Sequence, residues 1–270
     1  MTTTTPTSGE AGGRVVSGPA WLLRDSWTEA VRHLRALPRN PELMVFATLQ
    51  PVMFVLLFVY VFGGSVNVPG DYEQYVVPGI FAQTVLFNSA FTGVGLADDL
   101  SKGIIDRLRS LPINPSAVLI GRTLSDVVRN LITFLVMLVV AFLVGFRFEG
   151  TLAEALAATG LLFLFSYAFS WIQALIGLSV GSVEAANSAG FIWMFPLTFV
   201  SSAFVDVANM PSWLQPLARN NPFTVVTNAS RALYNGLPVG SDAWVSLAWA
   251  VGIIVVFALL ASRRFESTTA

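Results

Sequence analysis

The sequence contains no cysteine, a single histidine (His33) and a single lysine (Lys102). Without cysteine the chain has no disulfide, no thiolate nucleophile and no cysteine-ligated metal site, and one histidine does not form a metal cluster alone. A phosphate-binding P-loop needs a Gly-Lys pair, whereas Ser101 precedes the only lysine here. The chain is therefore not a P-loop ATPase, and any ATP hydrolysis must be performed by another chain.

Charge of either sign is also scarce. Charged residues make up 11% of the chain and hydrophobic residues 54%, with a mean hydropathy of +0.69. Soluble domains carry about 25% charged residues. We therefore predict an all-α polytopic membrane protein, and the net charge of -1 gives no indication of a nucleic-acid partner.

Long apolar runs dominate the part of the chain that we expect to form one membrane domain, residues 20–266. About 20 apolar residues cross a bilayer. We predict six spans, at residues 43–63, 76–96, 117–145, 155–180, 187–205 and 243–262. Residues 1–19 and 267–270 are expected to be tails, the first of them disordered and cytoplasmic. Residues 21–37 are amphipathic and predict a helix in the membrane interface, with a soluble helix packed on a partner as the alternative.

Several polar side chains fall inside the predicted spans. Gln50 should face protein or a cavity rather than lipid. Gln83, Thr84 and Asn88 fall within about a turn of one another and either hydrogen-bond between helices or contact a substrate. Our candidate substrate path consists of three polar and three aromatic residues: Gln50, Phe54, Gln83, Asn88, Phe191 and Phe195.

The third span begins with three charged residues. Asp126 follows Arg122 by four positions and precedes Arg129 by three. Residues at these spacings share one helix face, so all three can pair there.

The longest charged segment lies between the second and third spans, at residues 98–122. Within it, Ile104, Ile105, Leu108 and Leu111 recur at helical spacing on one face. We predict a short helix at 101–111, capped by Ser101 and stopped by Pro112. Our hypothesis is that this cytoplasmic helix transmits force from a partner protein into the spans; a plain charged loop is the alternative.

Residues 206–242 carry two stretches too short to cross a bilayer. We predict helices at 211–217 and 222–234, with Asn221 and Pro222 as cap and first turn of the second. The segment reads as a re-entrant or interfacial hairpin, although an ordinary surface loop is the alternative. A length of 37 residues is unusual for such a loop.

Basic residues are distributed unevenly over the predicted loops. Twelve of the 15 Lys and Arg residues fall on the side of the two termini and the 101–111 helix. The positive-inside rule places that side in the cytoplasm. The 206–242 hairpin would then lie outside.

Three stretches together resemble one family: YVVPGIFAQTVLF (75–87), LADDLSKGIIDRLRSLPINPSAVLIGRTLSD (96–126) and LARNNPFTVVTNASRALYNG (217–236). The resemblance is to the ABC-2 type transporter permeases, in the daunorubicin-resistance DrrB-like branch of drug and lipid exporters. The second stretch is the most specific of the three.

The resemblance implies that two ATP-binding subunits, which bind ATP and Mg²⁺, drive a pair of permeases, either identical or close paralogues. This chain would then have no catalytic, cofactor or metal site. Its contacts with the ATPase would be Ser101, Lys102, Gly103, Ile104, Ile105, Asp106, Arg107, Leu108, Arg109 and Glu184. The outer hairpin, with Trp213, Asn221, Pro222 and Phe223, would gate release.

We therefore expect a multi-pass permease of a bacterial cytoplasmic membrane that exports hydrophobic drugs or lipid-like molecules. A permease for polysaccharide or lipid-linked glycan is the alternative within the family. An ion-coupled secondary transporter is less favoured, because Asp126, Glu154 and Glu184 lie near span ends rather than at mid-membrane. A membrane enzyme would need a convergent set of titratable groups that this sequence lacks.

Overall fold

The computed structural model describes residues 41–63, 68, 70–104 and 115–267. Within these ranges the chain forms eight α-helices and no strand, which confirms the all-α prediction for this part. The predicted tail at 1–19, the interfacial helix at 21–37 and most of the 101–111 helix lie outside the described residues.

The first predicted span, 43–63, corresponds to an α-helix that continues directly as a π-helix. Helix α1 covers Pro41–Leu56 and continues as a π-helical segment at Leu57–Phe62. Pro51 lies inside α1 and removes one backbone donor. π-Helical turns are rare and concentrate at functional positions.

Helix α2, Tyr72–Ser101, lies at the centre of the bundle, where 83% of its most apolar window is buried. It packs against α3 (Pro115–Leu143), α4 (Leu152–Ser179) and α5 (Val183–Phe199). The crossing of α2 and α4 is very close, since a Cβ added to Gly177 would collide with the backbone carbonyl of Gly93. Small residues allow this approach.

The last helix, α8, covers Asp242–Ser267 and packs on α4, with most of its surface exposed. Four helices of the described chain are long and apolar enough to cross a membrane: α2, α3 from Leu119, α4 and α8. The other two predicted spans correspond to shorter apolar helices, the Leu49–Phe62 stretch and the 17-residue α5. The six-span topology therefore stays a prediction.

The end of α2 differs from the prediction. Ser101 is the last residue of α2 rather than the cap of a new helix, and its Oγ donates to the carbonyl of Asp98 at 2.8 Å. Gly103 follows with φ +63°, and its N–H donates to the carbonyl of Leu100 at 3.0 Å. A left-handed glycine ends a helix at low cost, so the predicted 101–111 helix does not begin at Ser101. Ile104 is again helical.

The fifth span is also shifted from the predicted 187–205. Ser182 accepts a hydrogen bond from the N–H of Ala185 at 3.1 Å and so starts α5 at Val183. The helix ends at Phe199, three residues after Pro196. Residues 200–206 then turn toward the hairpin.

The hairpin contains a 3₁₀ turn at Val207–Asn209 and two short helices, α6 (Gln215–Asn220) and α7 (Pro222–Tyr234). The range of α7 is the predicted one. Helix α6 begins four residues later than predicted, because residues 211–214 close a turn in which the N–H of Leu214 bonds the carbonyl of Pro211 at 2.8 Å. Helix α7 packs on α2, α4 and α8, so the hairpin lies against one end of the bundle.

Candidate functional site

Four of the six predicted path residues lie around one notch between α1 and α2. Gln50, Phe54, Gln83 and Asn88 line it together with Pro51, Thr84 and Phe87. Gln83 and Asn88 are each 4% exposed, and within the described chain their side-chain N–H₂ groups have no hydrogen-bond partner. The cavity measures about 20 Å³, which is room for about one water molecule and far too little for a drug-sized ligand.

A wider apolar groove of about 310 Å³ lies beside the notch on α1 and is lined by Leu49, Gln50, Met53, Phe54 and Leu57. Gln50 and Phe54 belong to both. The notch thus opens onto an apolar surface of α1 rather than onto a closed chamber.

The other two path residues join an aromatic ladder. Phe87 contacts Phe191 and Phe195 edge-on, with ring centroids 5.5 and 5.3 Å apart. The ladder continues from Phe195 along α5 and across to α1, with neighbouring centroids 4.5–6.1 Å apart, through Phe199, Phe204, Phe58 and Phe54. Such spacings are typical of favourable ring pairs.

Much of the apolar surface of α1 and α5 around this ladder is exposed. Met53 is 59% exposed, Tyr60 69% and Ile192 76%, and Phe195 and Phe199 are both about half exposed. We call the exposed apolar surface of α1, its π segment and α5 the α1/α5 face. Apolar patches this continuous mark contact with lipid, ligand or another protein.

Charged residues link α2 and α3 at the opposite end from the hairpin. Arg129 pairs with Asp126 at 2.7 Å, as predicted, and Thr92 of α2 donates to the second carboxylate oxygen of Asp126. Arg129 also donates to the backbone carbonyl of Asn88 at 3.2 Å and lies 4.8 Å from the ring centre of Phe91.

Arg122, which could share the Asp126–Arg129 pair by its spacing, bonds Asp99 of α2 at 3.1 Å, and both side chains are 13% exposed. Gly95 makes this possible, because a Cβ at that position would overlap the guanidinium group of Arg122. The prediction considered only neighbours on one helix. The Arg122–Asp99 pair ties α3 to the last turn of α2, directly before the predicted coupling segment. The Asp126–Arg129 pair, which lies within α3, contacts α2 further back, at Thr92 and Asn88.

Of the predicted ATPase contacts, the structure describes Ser101, Lys102, Gly103, Ile104 and Glu184. Lys102 is exposed and bonds Asp98 at 2.7 Å, and this hydrogen bond raises the pKa of the ammonium group. Glu184 is exposed in the first turn of α5. Ile105, Asp106, Arg107, Leu108 and Arg109 lie outside the described residues.

The hairpin residues that we predicted fall into two groups. Asn221 caps α7 by accepting from the N–H of Phe223 at 2.8 Å, and its N–H₂ group donates to two carbonyls at the end of α5, those of Leu197 (2.7 Å) and Val200 (2.6 Å). Pro222 opens α7, and Phe223 is fully buried. Trp213 instead is 72% exposed. Asn221 therefore fixes where the hairpin joins the bundle.

Sequence reasoning missed the role of Arg231, one of the three basic residues that it left on the outer side. Its guanidinium donates to the carbonyls of Tyr75 and Ser202, both at 2.8 Å, and to Asn228 Oδ1 at 3.0 Å. It also lies 3.7 Å from the ring centre of Tyr75. No local pattern indicates a partner 156 positions away, although a lone arginine among Thr, Asn and Ser residues of a short helix was a usable signal.

Comparison with known proteins gives a consistent result. The family described as ABC-2 type transporter matches residues 26–235. The chain is 32% identical over 272 residues to the daunorubicin resistance ABC transporter permease protein DrrB1 of Streptomyces coeruleorubidus, covering 99% of this chain and 96% of that protein. It is 28% identical to the probable doxorubicin resistance ABC transporter permease protein DrrC of Mycobacterium tuberculosis, over 84% of this chain and 83% of that protein. It is 27% identical to the probable multidrug ABC transporter permease YbhR of Escherichia coli, over 66% of this chain and 47% of that protein.

Proposed function

The chain belongs to the ABC-2 type transporter family, and on that premise we propose that it is the permease subunit of an ATP-driven exporter of hydrophobic drugs or lipid-like molecules. Relatives that match most of its length are named as daunorubicin and doxorubicin resistance permeases. A separate ATP-binding subunit supplies the energy and binds ATP and Mg²⁺. The observation that carries the proposal is the α1/α5 face, where a polar notch adjoins an aromatic ladder.

The chemistry of this face favours apolar cargo. Eight ring contacts on this face and in the adjoining ladder are between phenylalanines, which offer area but no hydrogen bonds. The unpaired N–H₂ groups of Gln83 and Asn88 add two donors for a carbonyl or hydroxyl oxygen of the cargo. A glycan would need many more polar partners, so glycan export remains the second candidate.

We propose that a second copy of the chain, or a close paralogue, covers the α1/α5 face. The notch of one chain has no room for cargo, so a path for a drug-sized molecule requires two faces or an opening motion. Disulfide trapping tests this arrangement on the natural background, which has no cysteine. Cysteine in place of Met53 or Tyr60 should cross-link two copies, whereas cysteine in place of the fully buried Val55 should not. Cross-linking at none of the exposed positions would contradict this seam.

We propose that two ATP-binding subunits dock on the cytoplasmic side against the 101–111 segment, with Glu184 as a second contact. The excess of basic residues on that side supports this orientation, with both termini in the cytoplasm of a bacterial cell. The paired charges of α2 and α3 lie between this segment and the notch. Arg122 bonds Asp99 near the end of α2, and Arg129 bonds the carbonyl of Asn88, which lines the notch, so these charges connect the docking side to the proposed path.

Transport into inside-out vesicles tests the proposed function. Vesicles from cells that express the chain with its ATP-binding partner should accumulate doxorubicin when ATP is present, and an uncoupler of the proton gradient should leave the rate unchanged. Phe195→Ala and Gln83→Leu should lower this rate, whereas the control Leu260→Ala on the exposed side of α8 should not. Accumulation that follows the proton gradient without ATP would favour a secondary transporter instead.

A further inference from the structure

A second cavity, of about 270 Å³, lies where the hairpin meets the start of α2. We call it the hairpin pocket. It is separate from the notch of the α1/α5 face, and its lining includes Tyr75, Ser202, Asp206, Arg219, Asn228 and Arg231. Three of these side chains carry charge, although the pocket has no role in the proposed transport path.

Arg231 brings a buried positive charge to this pocket. Its hydrogen bonds go to neutral acceptors, namely the carbonyls of Tyr75 and Ser202 and the amide of Asn228. Within the described ranges, no carboxylate lies within ion-pair distance of it. Burial lowers the pKa of the guanidinium, and the charge of Asp206, which lines the same pocket, offsets this only in part. A ligand anion in the pocket would supply a counterion within ion-pair distance.

The pocket carries one more cation and one anion. Arg219 is exposed on α6 and donates only a long bond, 3.4 Å, to Gln215 Oε1 in the part of the chain that the structure describes. Asp206 uses its Oδ1 to accept from the N–H of Ala208 at 2.9 Å, and among the described residues no partner is seen for its other carboxylate oxygen. Two guanidinium groups and one carboxylate therefore line a single cavity.

This charge pattern matches a zwitterion better than a simple anion. Guanidinium groups bind phosphate through charge-assisted hydrogen bonds, but a bare phosphate would also be repelled by Asp206. A primary ammonium group next to the phosphate would instead donate to that carboxylate. A trimethylated ammonium has no N–H to donate, so it fits less well.

Two exposed tryptophans on the hairpin and the helix that follows it indicate a membrane surface as the source. Trp213 and Trp244, 72% and 75% exposed, lie on the hairpin and on the first turn of α8, into which the hairpin leads. Exposed tryptophans are typical of the lipid headgroup level. We propose that the hairpin pocket binds the phosphate–ammonium headgroup of a lipid of the phosphatidylethanolamine class. Its placement in the outer leaflet rests on the proposed orientation, whereas the binding itself does not.

Native mass spectrometry of the purified full chain in detergent tests the proposal without any transport step. Dioleoyl phosphatidylethanolamine, phosphatidylglycerol and phosphatidylcholine are titrated in turn, so that only the headgroup differs. We expect the ethanolamine lipid to bind about tenfold more tightly than the other two, because only it satisfies both charges. Displacement by millimolar glycerophosphoethanolamine would assign the site to the soluble headgroup, and resistance to it would assign the site to the lipid; either result supports the headgroup chemistry.

Two variants separate the charges. Asp206→Asn keeps the oxygen that caps the 3₁₀ turn and should abolish the preference for ethanolamine over glycerol. Arg219→Gln should weaken all three lipids about tenfold. The control Arg147→Gln changes an exposed arginine that bonds backbone carbonyls at the same end of the bundle, and it should change nothing. Equal binding of the three lipids by the natural chain, or unchanged binding in both variants, would overturn the proposal and leave the exporter function untouched.

Discussion

The ion pair between Asp126 and Arg129 offers the sharpest test of how α2 and α3 are held together. The two side chains are only 4% and 14% exposed and lie 2.7 Å apart. Removing one partner of a buried ion pair costs about 3–5 kcal/mol, because the other charge is left without compensation. In Asp126→Asn, Arg129 keeps the carbonyl of Asn88 and the ring of Phe91, so we expect a loss of about 3 kcal/mol.

The double variant Asp126→Asn/Arg129→Gln makes the prediction specific. Two neutral amides at these positions bury no charge and still bond each other, so the double variant should be more stable than either single variant. The amide introduced at position 126 also retains an oxygen that accepts from Thr92. A loss of about 3 kcal/mol corresponds to a decrease of about 6–12 °C in melting temperature for a chain of this size.

Thermal unfolding in detergent, followed by the fluorescence of the seven tryptophans, measures these differences. The matched control is Asp98→Asn, which removes the same charge from the exposed pair with Lys102, where the side chains are 39% and 60% exposed. Exposed pairs contribute little, so the control should melt close to the natural chain. Equal melting temperatures for Asp126→Asn and Asp98→Asn, or additive losses in the double variant, would refute the assigned role of the buried pair.

Three further predictions concern packing, the hairpin and coupling. Gly177→Leu should lower the stability by more than about 3 kcal/mol, because the new side chain has to displace the backbone of Gly93 and overpacking even by methylene groups costs about 1–3 kcal/mol. The control Gly160→Leu, whose side chain would meet open space on the same helix, should not lower the stability by this amount. Asn221→Ala should cost about 2 kcal/mol, because a helix cap and two carbonyl partners are lost. Leu108→Asp should leave membrane insertion intact but uncouple ATP hydrolysis by the partner subunit from transport.

Each of these predictions has a clear contrary result. Equal melting temperatures for the two glycine variants would mean that the α2–α4 crossing is looser than the structure has it. If Asn221→Ala were as stable as Asn220→Ala, a variant of its exposed neighbour, Asn221 would not hold α5 and α7 together as proposed. If Leu108→Asp moved as much drug per ATP hydrolysed as the natural chain, coupling through the 101–111 segment would be contradicted.

The sequence predicted best what depends on local signals. Asn221 followed by Pro222 marks a cap and a first turn, and α7 has the predicted bounds, Pro222–Tyr234. Long apolar runs located the helices α2, α3, α4 and α8 to within a few residues, because burial in lipid imposes a length. The predicted start of the 101–111 helix at Ser101 was wrong, because the prediction treated Gly103 as a helix residue. A glycine is also a common helix end.

Contacts between distant residues were beyond the sequence. Arg122 reaches Asp99 over the space left by Gly95, whereas helix periodicity offered only neighbours on its own helix. Arg231 contacts Tyr75 across the whole length of the chain between α2 and α7. Gln83 and Asn88 were predicted as polar path residues from their position in an apolar run, and their joint lining of one notch depends on how α1 packs on α2. Their role in transport stays a prediction.

The central claim is that this chain moves hydrophobic cargo only when a separate ATP-binding subunit drives it. Proteoliposomes that contain the chain alone, the ATP-binding subunit alone or both, loaded with ATP and Mg²⁺ on the side that the subunit faces, test it directly. We predict that doxorubicin crosses the membrane against its gradient only when both proteins and hydrolysable ATP are present. Transport by the chain alone, or equal transport with a non-hydrolysable ATP analogue, would contradict the claim.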